Sequence, residues 1–255
     1  MALIEFEQIA HSYTPEPQSL ADYALKEIDT TWADGGAYAL LGPSGCGKTT
    51  LLKIIAGIEQ PESGSVGFVQ TAGERPRVRM VFQEDRLLPW ATVIDNLMLA
   101  VPAGLRKSGE NRRLAEELLE ETGLKGAEYK YPGQLSGGMR KRAALARGFM
   151  ADAEVILLDE PLQAVDWSMK LSLVKTFAGM KKRRPVTAVF VTHDIQEAAL
   201  MGDVVHVLGS APMHIRKTFV NPTDEDGRGM YNPGTMDMEK EIFRCLTENE
   251  SAEKK

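Results

Sequence analysis

Eight consecutive residues, Gly42, Pro43, Ser44, Gly45, Cys46, Gly47, Lys48 and Thr49, fit the spacing G-x-x-x-x-G-K-[ST]. That spacing suits a nucleoside triphosphate. The glycines let the backbone curl until several N–H groups face inward, and the helix N-terminus behind them adds its own attraction for phosphate. Lys48 would reach the β- and γ-phosphates, the Thr49 hydroxyl would hold Mg²⁺, and Thr50 carries the loop into its helix. A glycine-rich turn with no ligand is the alternative; the apolar run before the loop and the helical spacing after it favour phosphate binding. Cys46 could suggest redox chemistry, but it reads better as a small residue in a loop whose backbone matters. Further along, VILLDE (155–160) is an apolar run ending in two adjacent acids. Asp159 is placed to bind Mg²⁺, directly or through water, and Glu160 to polarise an attacking water, as phosphoryl transfer to water requires.

These groups need elements to hold them. AYALL (37–41) reads as a buried strand, and 49–56 as a helix with Leu51, Leu52, Ile54 and Ile55 at helical spacing. Strands are expected at 3–9, 24–32, 79–82, 154–158, 186–191 and 204–208. The 3–9 run alternates only roughly. Residues 87–150 change to a helical pattern, polar and amphipathic at 112–121 and alanine-rich at 139–150. A short helix is expected at 236–246. Apolar strands alternating with helices imply an α/β fold with a largely parallel sheet, interrupted by an inserted helical subdomain. The division expected is a core of 1–86 and 154–220, a helical subdomain of 87–153, and an extension of 221–255.

At 255 residues the chain has room for one large domain or a domain with an insertion. A net charge of −6 does not favour a nucleic acid partner. KKRR (181–184) reads as a solvated helix end rather than a nucleic-acid patch. Two cysteines make no disulfide framework and point to an intracellular setting. The first residues lack the basic and apolar parts of a signal peptide, and no apolar run approaches the ~20 residues of a membrane helix. Work at a membrane would go through a partner.

Three further segments narrow the class: VFQE with Gln83, LSGGMRKR (135–142), and VTHD with His193. With GPSGCGKT and VILLDE, in this order, they resemble the ATP-binding subunit of ABC transporters over residues 1–210. The resemblance implies a P-loop NTPase core, a mixed and largely parallel sheet flanked by helices, with an N-terminal antiparallel β part. It also implies roles. Ser136, Gly137 and Gly138 would face the γ-phosphate held by a second copy of the chain. A serine N-cap with two glycines uses the same groups that bind an anion. Gln83 would touch Mg²⁺ and water, His193 the γ-phosphate, and Asp166 the other copy across the dimer. Tyr13 would stack on adenine, with core packing as its alternative. Two departures are visible. Gln163 and Val165 replace the Ser and Leu of the common S-A-L-D, and Met139 replaces the usual glutamine after LSGG.

QEDRLLPWATVIDNL (83–97) is similar to importer ATPases for nitrate, sulfonates and taurine. Pro89 and Trp90 would receive a membrane partner there, unless LLPW packs within the subdomain. Resemblance to sugar-phosphate importers is weaker, because the stretch after Leu208 is short for their C-terminal β domain. The implied assembly is a homodimer on two transmembrane permease subunits, served indirectly by a solute-binding protein, peripheral on the cytoplasmic face of the cell membrane. Two other classes compete. An ATPase acting on DNA or ribosomes would be expected to carry paired nucleotide domains, coiled coils or zinc motifs. A small-molecule kinase would not need LSGG or the His193 strand.

Overall fold

The computed structural model describes residues 2–16, 18–70, 75–163, 165–183, 186–229 and 231–250. In chain order the elements are β1 (Ala2–Ser12), β2 (Tyr23–Trp32), β3 (Ala37–Leu41), α1 (Lys48–Ile55), β4 (Ser63–Gln70), β5 (Val78–Val81), α2 (Val93–Met98), α3 (Gly109–Glu121) and α4 (Gly137–Met150). There follow β6 (Val155–Asp159), α5 (Trp167–Arg183), β7 (Thr187–Thr192), α6 (Ile195–Met201), β8 (Val204–Leu208), β9 (Ile215–Val220) and α7 (Pro233–Glu250). They fall into two compact units, Met1–Pro76 with Val186–Lys255, and Arg77–Pro185.

The first unit holds an antiparallel sheet in the order β2-β1-β4 and the strands β7-β3-β8-β9. β3 runs parallel to β7 and β8, and β9 returns antiparallel on β8. All five residues of β3 are buried, which explains why AYALL is apolar throughout rather than alternating. The rough alternation of β1 also has a cause. Its register with β2 shifts between Phe6 and Ile9, and Gln8 sits at φ 48. Such a bulge moves every later side chain to the other face. Gly64 faces it, and a Cβ there would lie 2.3 Å from the Glu7 carbonyl oxygen, so this crossing needs glycine. A column of rings joins the strands: Trp32 stacks on Tyr38 at 5.2 Å and on His206 at 5.6 Å, with Phe6 edge-on to Trp32 at 4.5 Å.

The second unit pairs β5 and β6 in parallel and carries α2 to α5. α4 buries Ala143, Ala144 and Ala146, small residues that let neighbouring elements approach, and α3 buries Ala115, Leu118 and Leu119. Asn96 on α2 is fully buried and holds the preceding loop. Its Oδ1 accepts from Leu88 N at 2.7 Å, and its Nδ2 donates to the carbonyls of Leu88, Ala91 and Thr92.

Two expectations change. The C-terminal helix is longer than 236–246: Pro233 serves as a first helical residue, and Met238 and Ile242, four apart, are buried. β9 was not anticipated, because only Phe219 of its residues is buried and an edge strand shows little alternation.

Candidate functional site

β3 delivers Gly42 at the end of a buried strand, and α1 opens at Lys48 with Gly47 as its N-cap. Gly47 has φ 112, and a Cβ there would lie 2.6 Å from the Ala24 carbonyl oxygen, so the loop closes only with glycine at that place. Pro43, Ser44 and Gly45 are exposed at the tip. Lys48 is buried, and its ammonium donates to the carbonyls of Gly42 at 2.8 Å and Pro43 at 2.7 Å. Cys46 is buried, and burial pushes its thiol up, away from the thiolate form that redox chemistry uses.

Thr49 is exposed on the first turn of α1, while Thr50 is buried and shares a 3.0 Å hydrogen bond with the Tyr13 hydroxyl. That hydroxyl also donates to Glu59 at 2.8 Å. Tyr13 is 60% exposed, so it does not pack in the core; it is tethered at its hydroxyl, and its ring meets the His11 ring in a T-shaped contact at 4.9 Å.

His193 follows β7. It lines a cavity of about 430 Å³ together with Gly42, Pro43, Leu208, Ser210, Arg216 and Leu246, so the fold brings the histidine and the start of the phosphate loop together. The backbone on both sides of it is braced. Thr192 Oγ1 donates to the buried carboxylate of Glu197 at 2.7 Å and accepts from Asp194 N at 3.0 Å. Asp194 caps α6 by accepting from the N–H groups of Gln196 and Glu197.

The second unit carries the remaining residues. Asp159 ends β6 and is buried; Glu160 follows in the left-handed region at φ 46, a conformation that a non-glycine residue adopts only under constraint. Ser136 caps α4 by accepting from Met139 N at 3.2 Å, and the 14-residue helix opens with Gly137 and Gly138. Asp166 accepts from Met169 N and Ser168 Oγ, and these bonds hold its carboxyl below the usual range.

Gln83 follows β5 and is exposed. The segment after β5 is bracketed by α4 in a way the sequence reading missed. Lys141 Nζ donates to Gln83 O at 2.8 Å, Arg147 donates to the carbonyls of Asp85 and Arg86, and Arg140 pairs with Asp85 at 3.5 Å. Basic residues seven apart, at 140 and 147, lie on one side of a helix; that was the available signal. Trp90 is 74% exposed, so it does not pack within its unit. In the second unit Gln83 and Asp159 carry an amide oxygen and a carboxylate, hard oxygen donors of the kind Mg²⁺ takes, and in the first unit Thr49 carries a hydroxyl of the same kind.

A strand, a glycine loop folded around a buried lysine, and a helix in an α/β frame define a P-loop nucleotide-binding protein. The chain matches the family model for ABC transporters over residues 25–163. It is 44% identical over 188 residues to the aliphatic sulfonates import ATP-binding protein SsuB 1 of Pseudomonas savastanoi pv. phaseolicola, covering 74% of this chain and 75% of that one. It is 42% identical to the nitrate import ATP-binding protein NrtC of Synechococcus elongatus, over 74% of this chain and 29% of the relative. Among solved structures, the dimeric post-hydrolysis state of the ATP-binding cassette MJ0796 bound to ADP and Pi matches with a TM-score of 0.72 and 25% identity, over 87% of this chain and 100% of that one. The chain belongs to the ABC transporter family, as an ATP-hydrolysing, ATP-binding cassette.

Proposed function

We propose that this chain powers import of a small, anionic solute of the sulfonate or nitrate kind. The names of its relatives support that solute class. Two copies would close head to tail on ATP, a reading supported by dimeric cassettes of similar structure. The dimer would sit peripherally on the cytoplasmic face of the membrane, on two permease subunits supplied by a solute-binding protein, with no nucleic acid involved. Among the described residues no helix is long and apolar enough to cross a membrane. The functional partition is a core of 1–86 and 154–220, a helical subdomain of 87–153 and an extension of 221–255.

The observation that carries the mechanism is Lys48 turned onto the carbonyls of Gly42 and Pro43, two residues that line one cavity with His193. Lys48 would exchange those two carbonyls for phosphate oxygens, a swing of one side chain with no refolding. The loop N–H groups and the first turn of α1 would take up the remaining negative charge. Exposed Tyr13 would stack on adenine. Thr49, Gln83 and Asp159 would hold Mg²⁺, which when bound neutralises charge on the β- and γ-phosphates. Glu160 would accept the proton of the attacking water, and His193 would contact the γ-phosphate. Ser136, Gly137 and Gly138 of one copy would close over the loop of the other, with Asp166 linking the two sites. Exposed Trp90 and Pro89 would meet the permease.

The test is Glu160→Gln. Light scattering should show an ATP-stabilised dimer, with hydrolysis down by at least about a hundredfold. A variant that stays monomeric with ATP and hydrolyses at the parental rate would refute the assignment.

A further inference from the structure

A glutamine exposed on a loop ordinarily spreads over many rotamers, and ordering it on a ligand costs binding energy. Gln83 is held at both ends by its own chain. Its backbone carbonyl accepts from Lys141 Nζ at 2.8 Å, and its Nε2 donates to Gln163 Oε1 at 2.8 Å. An amide has its donors on one arm and its acceptor on the other. With the nitrogen committed to Gln163, Oε1 is the arm turned away from that partner. The contact arises at a departure from the family pattern: a serine at 163 would be two carbons shorter and lack the carbonyl that meets Nε2.

We propose that Gln163 is a positioning residue that presents the Gln83 amide oxygen to the cation accompanying the nucleotide. This builds on the reading of Gln83 as an Mg²⁺ ligand. Gln163 itself touches neither cation nor nucleotide; it removes rotamers in which the amide nitrogen would face the metal. A single hydrogen bond between side chains near the surface adds little net stability. The effect therefore belongs to metal affinity and not to folding.

The test uses the full chain with a non-hydrolysable ATP analogue and Mn²⁺ as the spectroscopic probe. Gln163→Met keeps the length of the side chain and deletes the acceptor. Electron paramagnetic resonance titration should show Mn²⁺ bound about threefold to tenfold more weakly, and the Mg²⁺ concentration for half-maximal ATPase activity should rise by a similar factor. The melting temperature should stay put. Gln83→Ala should weaken Mn²⁺ at least as much, and Q83A/Q163M should be no weaker than Q83A alone, because both substitutions act through one amide. If Q83A weakens Mn²⁺ and Q163M does not, Gln83 remains a ligand and the positioning role is overturned. If Q83A leaves Mn²⁺ affinity unchanged, the ligand reading falls and the proposal falls with it. Loss of affinity in Q163M that adds to the loss in Q83A, or that comes with a lowered melting temperature, would make Gln163 a structural residue and overturn the proposal.

Discussion

Lys48 shows how much one side chain can hold ready. Its ammonium is out of bulk water, and burial of a charge is tolerated only where polar groups replace the lost hydration. The carbonyls of Gly42 and Pro43 do that, and the two bonds tie the start of the loop to the start of α1. Thr192 works on the same scale. Its hydroxyl is buried between the Glu197 carboxylate and the Asp194 N–H, and the bond from Thr192 to Asp194 spans His193 in sequence. Thr192→Val removes both contacts without changing the volume much, and should cost about 1–2 kcal/mol in urea unfolding. Thr192→Ser should recover most of it. Equal stability of T192V and the parent would show that the brace does not matter.

At the scale of elements, α4 has two jobs. Its N-terminus opens with Ser136, Gly137 and Gly138, and its flank clamps three carbonyls of the segment that begins at Gln83. α2 plays a similar part for the loop that presents Trp90. Asn96→Leu would delete four hydrogen bonds to residues 88–92 from a fully buried position. A loss of about 3 kcal/mol in stability is expected from the backbone groups left unsatisfied. Proteolysis should become faster at 87–92, and the fluorescence anisotropy of a variant with Trp90 as its only tryptophan should fall. Unchanged anisotropy would mean that other contacts hold the loop.

On the scale of the whole molecule, pH acts through the aromatic column of the first unit. His206 is buried against Trp32 with Nδ1 on Thr218 Oγ1 at 2.9 Å, and burial lowers its pKa from 6.5 to about 4. The unfolded chain therefore takes up this proton first as the pH falls. The stability it contributes is complete above pH 6.5, is lost between 6.5 and about 4, and changes no further below that. A tenfold difference in proton affinity between the folded and unfolded chain is worth about 1.4 kcal/mol, so about 3 kcal/mol should be lost across the window. His206→Phe keeps a ring in the column and removes the titrating group. Chemical denaturation at pH 7 and pH 4.5 should show a smaller difference for H206F than for the parent; an equal difference would place the acid sensitivity elsewhere.

The phosphate loop and the buried strand AYALL were legible in order and spacing alone, while the family was legible through the resemblance of its motifs. Each depends on contacts between near neighbours in the chain: a turn that needs glycine, a helix that starts behind it, a strand apolar on both faces. What tertiary structure decided involves groups far apart in sequence. Tyr13 could have been a core residue or an open ring until its hydroxyl was seen on Thr50 and Glu59. The bulge at Gln8 and the edge strand β9 escaped because pairing partners, not local pattern, define them. The clamp of Lys141 on Gln83 spans 58 residues, and the bond between Gln83 and Gln163 spans 80. A one-dimensional pattern holds the residue types that can make such contacts, but only folding sets which donor comes within 3 Å of which acceptor.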